Sequence, residues 1–486
     1  MKTPLLFLFL AWHVVARAQT PAQPGLQPGF DQEEYIELLR AYSRWGDSVF
    51  YHGIDASTRY QPVYRSPVNG LENAWELYRD ATRNVAVVSI RGTTADPVSW
   101  LANFYAAMVP ARGQLQLSDE QTFDYTLAEH PQAAVHVGWL VALASMAPDI
   151  RAKLDSCYQA GTRDIMLMGH SQGGAITFLL TAYLHHLQKA GELPADLRFK
   201  SYCSASPKPG NLYFAYEYEA ATAGGWSSTV VNSADWVPEV PISIQTLHDF
   251  NPTNPFTNAQ ASIKQQKFPN RVALNYVYKQ LTKHTLRAQK RYQKYLGKMA
   301  SKMVVKQLPG FQVPKYYDSN HYVRTGPYVV LLANGPYLNE FPDSDTTVFI
   351  HHMLQSYLWL AQRMEVTSGG PSSDLQGSWQ LDYLSGIRIA FEGLYPDARP
   401  VLMLDPENQL VNGNSSCNAF TAQAEFAGTS LTIHKPMAAT MRACPGEGEM
   451  RFFQMLEQVN RYALTGRNTL ELYANDVPVM RFTKLR

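Results

Sequence analysis

One short stretch constrains the fold of this chain more than any other: Ile165 to Ala175, which reads IMLMGHSQGGA. Four apolar residues typical of a buried strand run into Gly-His-Ser-Gln-Gly, and the sequence from Ala175 to Ala190 has the apolar spacing of a helix. A strand that meets a helix without a loop forces a strained turn at Ser171, and the residues two positions away must be very small. Such a turn lifts the serine hydroxyl clear of the sheet.

The segments around this turn indicate the wider architecture. Near-continuous apolar runs separated by helix-length stretches predict an α/β sheet that is covered on both faces. These runs are NVAVVSI, DIMLMG, FKSYCSAS, STVVNSA and PYVVLLA. A length of 486 residues favours two or three domains. We assign the larger domain to residues 30–366, a Gly/Ser/Pro linker to 367–376, and a small, mostly antiparallel α+β domain to 377–486, with one helix over Glu447 to Tyr462.

The N-terminal residues have the pattern of a secretory signal. Lys2 is followed by an apolar run from Leu5 to Val15 and by small residues at Ala16 and Ala18. This pattern predicts a signal peptide over residues 1–18, with cleavage near Ala18, and the run is shorter than a membrane span requires. We expect residues 19–29, rich in Pro and Gly, to form a disordered tail. The mature protein is then expected to be soluble and exported, either periplasmic or extracellular.

Charge and cysteine content exclude several classes of partner and cofactor. The formal net charge of +1 provides no global field toward nucleic acid, so no nucleic-acid partner is expected. The spacing of the four cysteines suggests one disulfide between Cys417 and Cys444 and another between Cys157 and Cys203, with buried free thiols as the alternative for the second pair. No pair has C-x-x-C spacing, which argues against a zinc or redox role.

The serine turn requires two further groups to be a nucleophile. A histidine must take the proton of Ser171, and a carboxylate must orient that histidine. Asp235 follows the strand-like Thr229 to Asn232 and so lies where α/β sites are built. His351 and His352 precede the helical stretch MLQSYLWLAQRM, and either one supplies the base. The order Ser, Asp, His predicts a catalytic triad with a nucleophilic serine, for which no metal or organic cofactor is needed.

At this point the chain resembles the class 3 lipases, which are α/β-hydrolases with a mostly parallel central sheet. The resemblance rests on an ordered series of motifs across Val85 to Leu360: VVSIRGTT with Trp100 and Asn103 downstream, VHVGW, GHSQGGA, ASPKPGN, VVNSADWVPEVP and HMLQSY. It implies a triacylglycerol lipase, with phospholipase A1 and a soluble carboxylesterase as alternatives.

The resemblance also implies a role for each site residue. Ser171 is the nucleophile, Asp235 the acid and His352 the base, with His351 as the alternative base. Thr93 supplies the second oxyanion donor beside the backbone N–H of Gln172. We interpret His136 of VHVGW as structural.

Two segments depart from the resemblance. Between Trp100 and His136, the residues from Tyr105 to Gln132 occupy the position where family members carry a lid. The spacer between Asp235 and His352 is longer than the family needs. It contains a basic amphipathic stretch, residues 271–306, with ten Lys or Arg residues and no Asp or Glu. We hypothesise that this stretch contacts an anionic lipid surface; the alternative is a solvated basic face that covers the core.

The C-terminal region resembles the META domain of bacterial envelope proteins. The matching motifs are LQGSWQL, SSCNAFTA, TMRAC and RFTKL, with Ser416 where the family motif has glycine. The resemblance implies a bacterial source and a binding or stabilising module without catalysis. It also leaves a second class of function open, namely a non-enzymatic envelope-binding protein on an inactive hydrolase scaffold.

Overall fold

The computed structural model describes residues 25–46, 53–80, 82–364, 375, 377–385, 391–406, 408–427, 429–444, 446–465, 469–475 and 477–485. The predicted signal peptide at 1–18, tail residues 19–24 and all of the 367–376 linker except Leu375 lie outside these residues. The chain divides into two compact units, Met1–Met364 and Glu365–Arg486.

The first unit alternates strands with helices. Its helices are α1 (Gln32–Tyr42), α2 (Pro97–Phe104), α3 (Val137–Gln159), α4 (Gln172–Lys189), α5 (Leu212–Ala221), α6 (Ala259–Lys264), α7 (Asn270–Tyr292), α8 (Ala300–Gln307), α9 (Gly335–Glu340) and α10 (Leu354–Arg363). Its strands are β1 (Tyr60–Arg65), β2 (Trp75–Asp80), β3 (Val85–Ile90), β4 (Met108–Pro110), β5 (Arg112–Gln116), β6 (Thr122–Thr126), β7 (Ala134–His136), β8 (Asp164–His170), β9 (Arg198–Ser204), β10 (Ser227–Asn232) and β11 (Tyr328–Leu331). A π-helical segment, Gln293–Met299, joins α7 to α8.

A seven-stranded sheet with the order β1-β2-β3-β8-β9-β10-β11 forms the centre of this unit. Strands β3, β8, β9, β10 and β11 run parallel to one another, and β1 and β2 add an antiparallel edge. The prediction of an α/β fold with a mostly parallel sheet is therefore confirmed. All five predicted apolar runs contain strands of this sheet.

Both faces of the sheet are buried, as the continuous apolar runs predict. Along β8, Ile165 and Leu167 pack with α3 and α4, while Met166 and Met168 pack with α1 and α10 on the other face. This alternation follows from the two-residue period of a strand. Because helices cover both faces, loops at the carboxyl ends of the strands remain available to form a site.

The tail prediction is wrong for residues 25–29. The side chain of Leu26 is buried in the core, and its N–H donates to Asp164 Oδ2 at 3.1 Å. The N–H of Gly29 donates to the carbonyl of Gly225 at 2.8 Å. The Pro/Gly composition suggested disorder, but one buried leucine and these hydrogen bonds anchor the segment.

The second unit is an antiparallel barrel with short helices. Its strands are β12 (Ser378–Leu384), β13 (Val401–Asp405), β14 (Leu410–Asn414), β15 (Ala419–Ala427), β16 (Ser430–Ile433), β17 (Ala438–Ala439), β18 (Arg461–Thr465), β19 (Thr469–Ala474) and β20 (Val477–Lys484), with helices α11 (Phe391–Leu394) and α12 (Gly448–Leu456). The strand order is β14-β13-β12-β20-β19-β18-β16-β15-β17, and an additional β14–β15 pairing closes the sheet. The predicted helix over Glu447 to Tyr462 is too long, because Tyr462 lies in β18.

The cysteines follow one of the two predicted pairings. Cys417 and Cys444 form a disulfide in the second unit. Cys157 and Cys203 are separate buried thiols in the first unit, so the predicted second disulfide is wrong and the free-thiol alternative holds.

Candidate active site

The predicted strained turn is present at Ser171. This residue follows β8 directly, precedes α4 and has φ 59° and ψ −128°, a conformation that costs energy for a residue with a side chain. A Cβ atom on Gly169 would lie 2.1 Å from the carbonyl oxygen of Gly173, and one on Gly173 would lie 2.2 Å from that of Ile90. The two glycines are therefore required by the close approach of strand and helix.

Asp235 and His352 come together although 117 residues separate them in sequence. His352 Nδ1 lies 2.7 Å from Asp235 Oδ2, and both side chains are buried. Asp235 follows β10, and His352 ends the short 3₁₀-helix Ile350–His352 before α10. The carboxylate accepts from Nδ1, so Nε2 is left as the basic nitrogen of a neutral His352.

Two further donors hold the Asp235 carboxylate. The Val237 N–H donates to Oδ1 at 2.9 Å, and the hydroxyl of Tyr357 donates to Oδ2 at 2.8 Å. Burial alone would raise the pKa of this carboxyl. The charge and hydrogen bond of His352, together with the other two donors, bring the pKa below its ordinary value. Asp235 therefore stays ionised and can stabilise a positive charge on the imidazole.

His351 has different partners from His352. Its Nδ1 lies 2.8 Å from the hydroxyl of Tyr337, and its Nε2 lies 2.9 Å from Asp343 Oδ1. It does not line the cavity that contains Ser171, whereas His352 does. The geometry therefore favours His352 over its neighbour as the base.

Thr93 and Gln172 lie beside Ser171 and are linked through Asn103. Asn103 Nδ2 donates to Thr93 Oγ1 at 2.9 Å, and Asn103 Oδ1 accepts from Gln172 Nε2 at 3.1 Å. Trp139 Nε1 also donates to Asn103 Oδ1, at 3.0 Å. As the first residue of α4, Gln172 has no intrahelical acceptor for its N–H. One amide side chain thus fixes the two residues expected to stabilise an oxyanion.

Ser171, His352, Thr93 and Gln172 share one cavity of about 260 Å³. The rest of its lining is almost entirely apolar or aromatic: Trp100, Phe104, Ala106, Trp139, Pro207, Trp236, Val237, Val240, Pro241, Ile242, Tyr292, Leu296 and Phe349, with Asn103 as the polar exception. A few convergent polar groups in an apolar cavity are typical of a site for a small, mostly apolar ligand. The lining suits an acyl chain.

The residues expected to form a lid instead belong to the core. Tyr105 to Gln132 contain β4 and the β5–β6 hairpin, and their apolar side chains, including Val109, Leu115 and Phe123, are buried. Of this stretch only Ala106 lines the cavity. A different segment reaches the cavity, because Tyr292 and Leu296 belong to the helical run of α7, the π segment and α8.

No local sequence pattern predicts the contacts that support the backbone of His352. His170 Nε2 lies 2.9 Å from the carbonyl oxygen of His352, and its Nδ1 lies 2.9 Å from Ser204 Oγ. The hydrogen bond from Tyr357 to Asp235 has no local sequence signal either. Such contacts link strands, helices and loops that are distant in sequence, and no local pattern encodes them.

His136 has a structural role, as predicted. Its Nδ1 accepts from the N–H of Trp139 at 3.4 Å as the N-cap of α3, and its ring stacks on that indole with centroids 3.7 Å apart. Burial lowers its pKa to about 3. His136 is not among the residues that line the cavity.

Comparisons with known proteins match two parts of the chain. The family model for Lipase (class 3) matches residues 87–244, and that for the META domain matches residues 373–486. A secreted mono- and diacylglycerol lipase from Malassezia globosa is 34% identical over 172 residues, which cover 35% of this chain and 50% of that protein. The chain thus spans about half the length of that curated relative.

Solved structures give only a distant likeness. A Rhizomucor miehei lipase propeptide complex has a TM-score of 0.32 at 20% identity, over 44% of this chain and 65% of that one. A triacylglycerol lipase from Penicillium expansum has a TM-score of 0.30 at 16% identity, over 43% and 71%. The chain therefore matches the class 3 lipase family over residues 87–244 and the META domain over residues 373–486, and the curated relative that it resembles is a lipase.

Proposed function

We propose that the protein is a serine carboxylic-ester hydrolase, in the first instance a triacylglycerol lipase, with Ser171, His352 and Asp235 as its catalytic triad. The observation that carries the proposal is the buried 2.7 Å contact between His352 and Asp235 beside a cavity into which a strained serine projects. Strain of this kind persists only where the surrounding structure maintains it, and it is concentrated at functional sites.

The reaction begins when Nε2 of His352 removes the hydroxyl proton of Ser171. The serine oxygen attacks the ester carbonyl, and the backbone N–H groups of Gln172 and Thr93 stabilise the tetrahedral oxyanion. His352 then gives the proton to the leaving alkoxide, and an alcohol departs. Water, deprotonated by the same imidazole, attacks the acyl-enzyme and releases the carboxylic acid and the free serine. Asp235 remains ionised and stabilises the imidazolium in both halves.

The substrate proposal rests on the cavity and on the relative. The apolar lining suits an acyl chain, and the relative from Malassezia globosa is named for its action on mono- and diacylglycerols. Phospholipase A1 and soluble carboxylesterase activities remain the alternatives within the class. Turnover of emulsified long-chain triacylglycerol, of a phospholipid and of a dissolved short-chain ester distinguishes the three, and we expect the first to be fastest.

The proposal also covers where the enzyme acts. The N-terminal signal pattern and the secreted relative support export, and the META-domain match is the basis for proposing a bacterial source, for which export leads to the periplasm or beyond. Within the residues that the structure describes, no helix has the length and hydropathy needed to cross a bilayer. Contact between residues 271–306 and an anionic lipid surface is consistent with this setting.

Labelling by a fluorophosphonate tests the proposal, because the reagent requires an activated serine. The wild-type protein should be labelled and should hydrolyse a chromogenic acyl ester. Ser171→Ala should abolish labelling and lower the rate by roughly four to six orders of magnitude. A folded wild-type protein that resists labelling would instead support a non-enzymatic envelope-binding protein on an inactive hydrolase scaffold.

A further inference from the structure

The helical run that reaches the cavity is strongly polarised in charge. Residues 250–317 contain no Asp or Glu, while thirteen of the chain's 42 Lys and Arg residues lie there. Because the formal net charge of the whole chain is only +1, the remainder of the chain is net negative. A negatively charged surface therefore attracts this segment and repels the rest, which orients the protein.

α7 is a helix with almost no buried side chains. Of its 23 residues only Gln289 is buried, and Leu281 is 70% exposed. Leu274, Leu281 and Ala288 are seven residues apart, and Tyr292 follows four residues later. These spacings place all four on one face of a helix. The face is apolar and open to solvent over its first part.

The same face continues into the cavity. Tyr292, at the end of α7, and Leu296, in the π segment, line the space beside Ser171. The cations Lys283, Arg287 and Lys290 fall on the opposite side of the helix from Tyr292, by the same periodicity. An apolar stripe thus begins in solvent and ends at the proposed nucleophile.

The inner end of this helical run is anchored by contacts with Ala106 and Ala107. The carbonyl of Leu296, in the π-helical segment, accepts from the N–H of Ala106 at 2.9 Å. A Cβ atom on Gly297 would lie 2.9 Å from the Cβ of Ala107, so glycine permits this close contact. A π-helical segment disrupts the regular i→i−4 ladder and is frequent at functional sites. The helix is fixed at the cavity, while its first part lies outside the core.

We propose that α7 is an interfacial helix that docks on an anionic lipid surface, with its apolar stripe immersed and its cations among the headgroups, so that acyl chains pass along the stripe into the Ser171 cavity. A helix with exposed leucine, valine and tyrosine beside a row of Lys and Arg has the composition of interfacial helices. A nucleic acid would satisfy the cations but leave the apolar stripe in water. The delivery of acyl chains rests on the proposed function; the docking itself does not.

Binding is tested without turnover in the full-length Ser171→Ala protein. Its sedimentation with vesicles of phosphatidylcholine alone is compared with vesicles that contain about 30% phosphatidylglycerol. We expect binding only to the anionic vesicles, weakened by added salt. The triple variant Lys283→Gln, Arg287→Gln, Lys290→Gln should lower the partition coefficient on the order of a hundredfold, since each cation near an anionic surface contributes roughly fivefold.

A second variant tests the apolar stripe. Leu274→Ser with Leu281→Ser should weaken binding to anionic vesicles about tenfold or more, because two exposed leucines lose the apolar surface that they would immerse. The matched control is Val63→Ser, an exposed apolar residue on edge strand β1. It should change the partition coefficient less than about twofold, and circular dichroism of each variant confirms the fold.

A charge-matched control separates docking from net charge. Arg151, Lys153 and Lys189 lie in the distal parts of α3 and α4, roughly 20 Å or more along each helix from the site. Their simultaneous replacement by Gln should leave vesicle binding within about threefold of the parent. An equal loss in this control and in the α7 triple variant would overturn the proposal.

Other outcomes also overturn it. These are equal binding to neutral and anionic vesicles, unchanged binding of either α7 variant, self-association through Leu274 and Leu281 without vesicle binding, and binding of single-stranded DNA in place of vesicles. Hydrolysis of a dissolved short-chain ester by the same variants with Ser171 intact is measured in parallel. A protein that hydrolyses this ester but does not bind vesicles refutes docking alone. A protein that binds vesicles but does not hydrolyse the ester refutes the proposed function alone.

Discussion

His170 Nε2 donates to the main-chain carbonyl oxygen of His352 across 2.9 Å, so the neighbour of Ser171 in sequence supports the histidine that faces it. A carbonyl only accepts, so this bond fixes the tautomer of His170 and makes its Nδ1 the acceptor for Ser204 at 2.9 Å. Ser204 in turn lies 2.7 Å from the hydroxyl of Tyr35. Burial and the nearby charge of His352 lower the pKa of His170 to about 3, which keeps this ring neutral.

His170 is therefore a positioning residue, and its replacement should slow catalysis without unfolding the protein. We expect His170→Phe to lower kcat on a dissolved ester about ten- to a hundredfold, with little change in KM, because a small displacement of His352 is costly. His170→Gln retains a side-chain N–H donor and should recover part of the loss. A purely structural role would predict equal kcat for the two variants once the fraction of folded protein is matched.

The adjacent histidines provide a matched pair of variants. His352→Gln should lower kcat by roughly three to six orders of magnitude, because the base and its ion-pair partner Asp235 act as one unit with Ser171. His351→Gln removes an imidazole that contacts Tyr337 and Asp343, and it should retain at least about a tenth of the wild-type kcat. The measurement is steady-state hydrolysis of a dissolved chromogenic ester. The reverse order of losses would assign the base to His351.

Local sequence signals predicted the central fold because each one reflects a local physical requirement. The apolar run at β8 must be buried on both faces, and the glycines around Ser171 must permit a close approach. The same reasoning failed at residues 25–29, where composition suggested disorder but Leu26 finds a core position. It also failed for Cys157 and Cys203, since sequence spacing says nothing about whether two thiols on different elements meet.

The site was predictable to the extent that its residues follow strands. Asp235 follows β10 and Ser171 follows β8, as expected for a sheet whose carboxyl ends carry the site. Sequence alone could not choose between His351 and His352, because both precede the same helix. Sequence alone also could not show that α7 and the π segment, rather than the segment expected to be a lid, reach the cavity. The approach of Tyr292 and Leu296 to the cavity depends on tertiary packing.

Asn103 should control the stability of the oxyanion site. Its amide donates to Thr93 Oγ1 and accepts from Gln172 Nε2, and Asn103→Leu removes both contacts at similar volume, together with the bond from Trp139 Nε1. We expect kcat for a dissolved ester to fall about ten- to a hundredfold, on the scale of a single oxyanion donor or less. Thr93→Ser keeps the hydroxyl and the backbone N–H, and it serves as the control with a loss below about fivefold. Equal activity of Asn103→Leu and wild type would show that the two contacts are dispensable.

Loss of the disulfide should affect the second unit alone. Cys417 and Cys444 are 27 residues apart, and opening a loop of this length lowers the free energy of unfolding by about 3 to 4 kcal/mol in the chain-entropy treatment. Cys417→Ser with Cys444→Ser should therefore lower the urea concentration at which amide exchange protection is lost in β12 to β20. Ester turnover should be unchanged. Mild reduction of the wild type should reproduce the effect, and a loss confined to the first unit would contradict the prediction.

Acid should destabilise the first unit through its buried histidines, and His136 permits a clean test. Burial lowers its pKa to about 3, so below the ordinary value of 6.5 the unfolded chain binds a proton that the native state does not. The stability that this group contributes is fully present above pH 6.5 and is lost as the pH falls toward 3. Between pH 7.5 and pH 5 this one residue should lower the free energy of unfolding by about 2 kcal/mol.

His136→Asn keeps an acceptor at the N-cap of α3 but does not titrate. Urea unfolding at the two pH values should show the variant weaker at pH 7.5, with a pH-dependent loss about 2 kcal/mol smaller than that of the wild type. The exposed replacement His248→Asn should leave the pH-dependent loss unchanged, and the same loss in His136→Asn as in the wild type would refute the assignment.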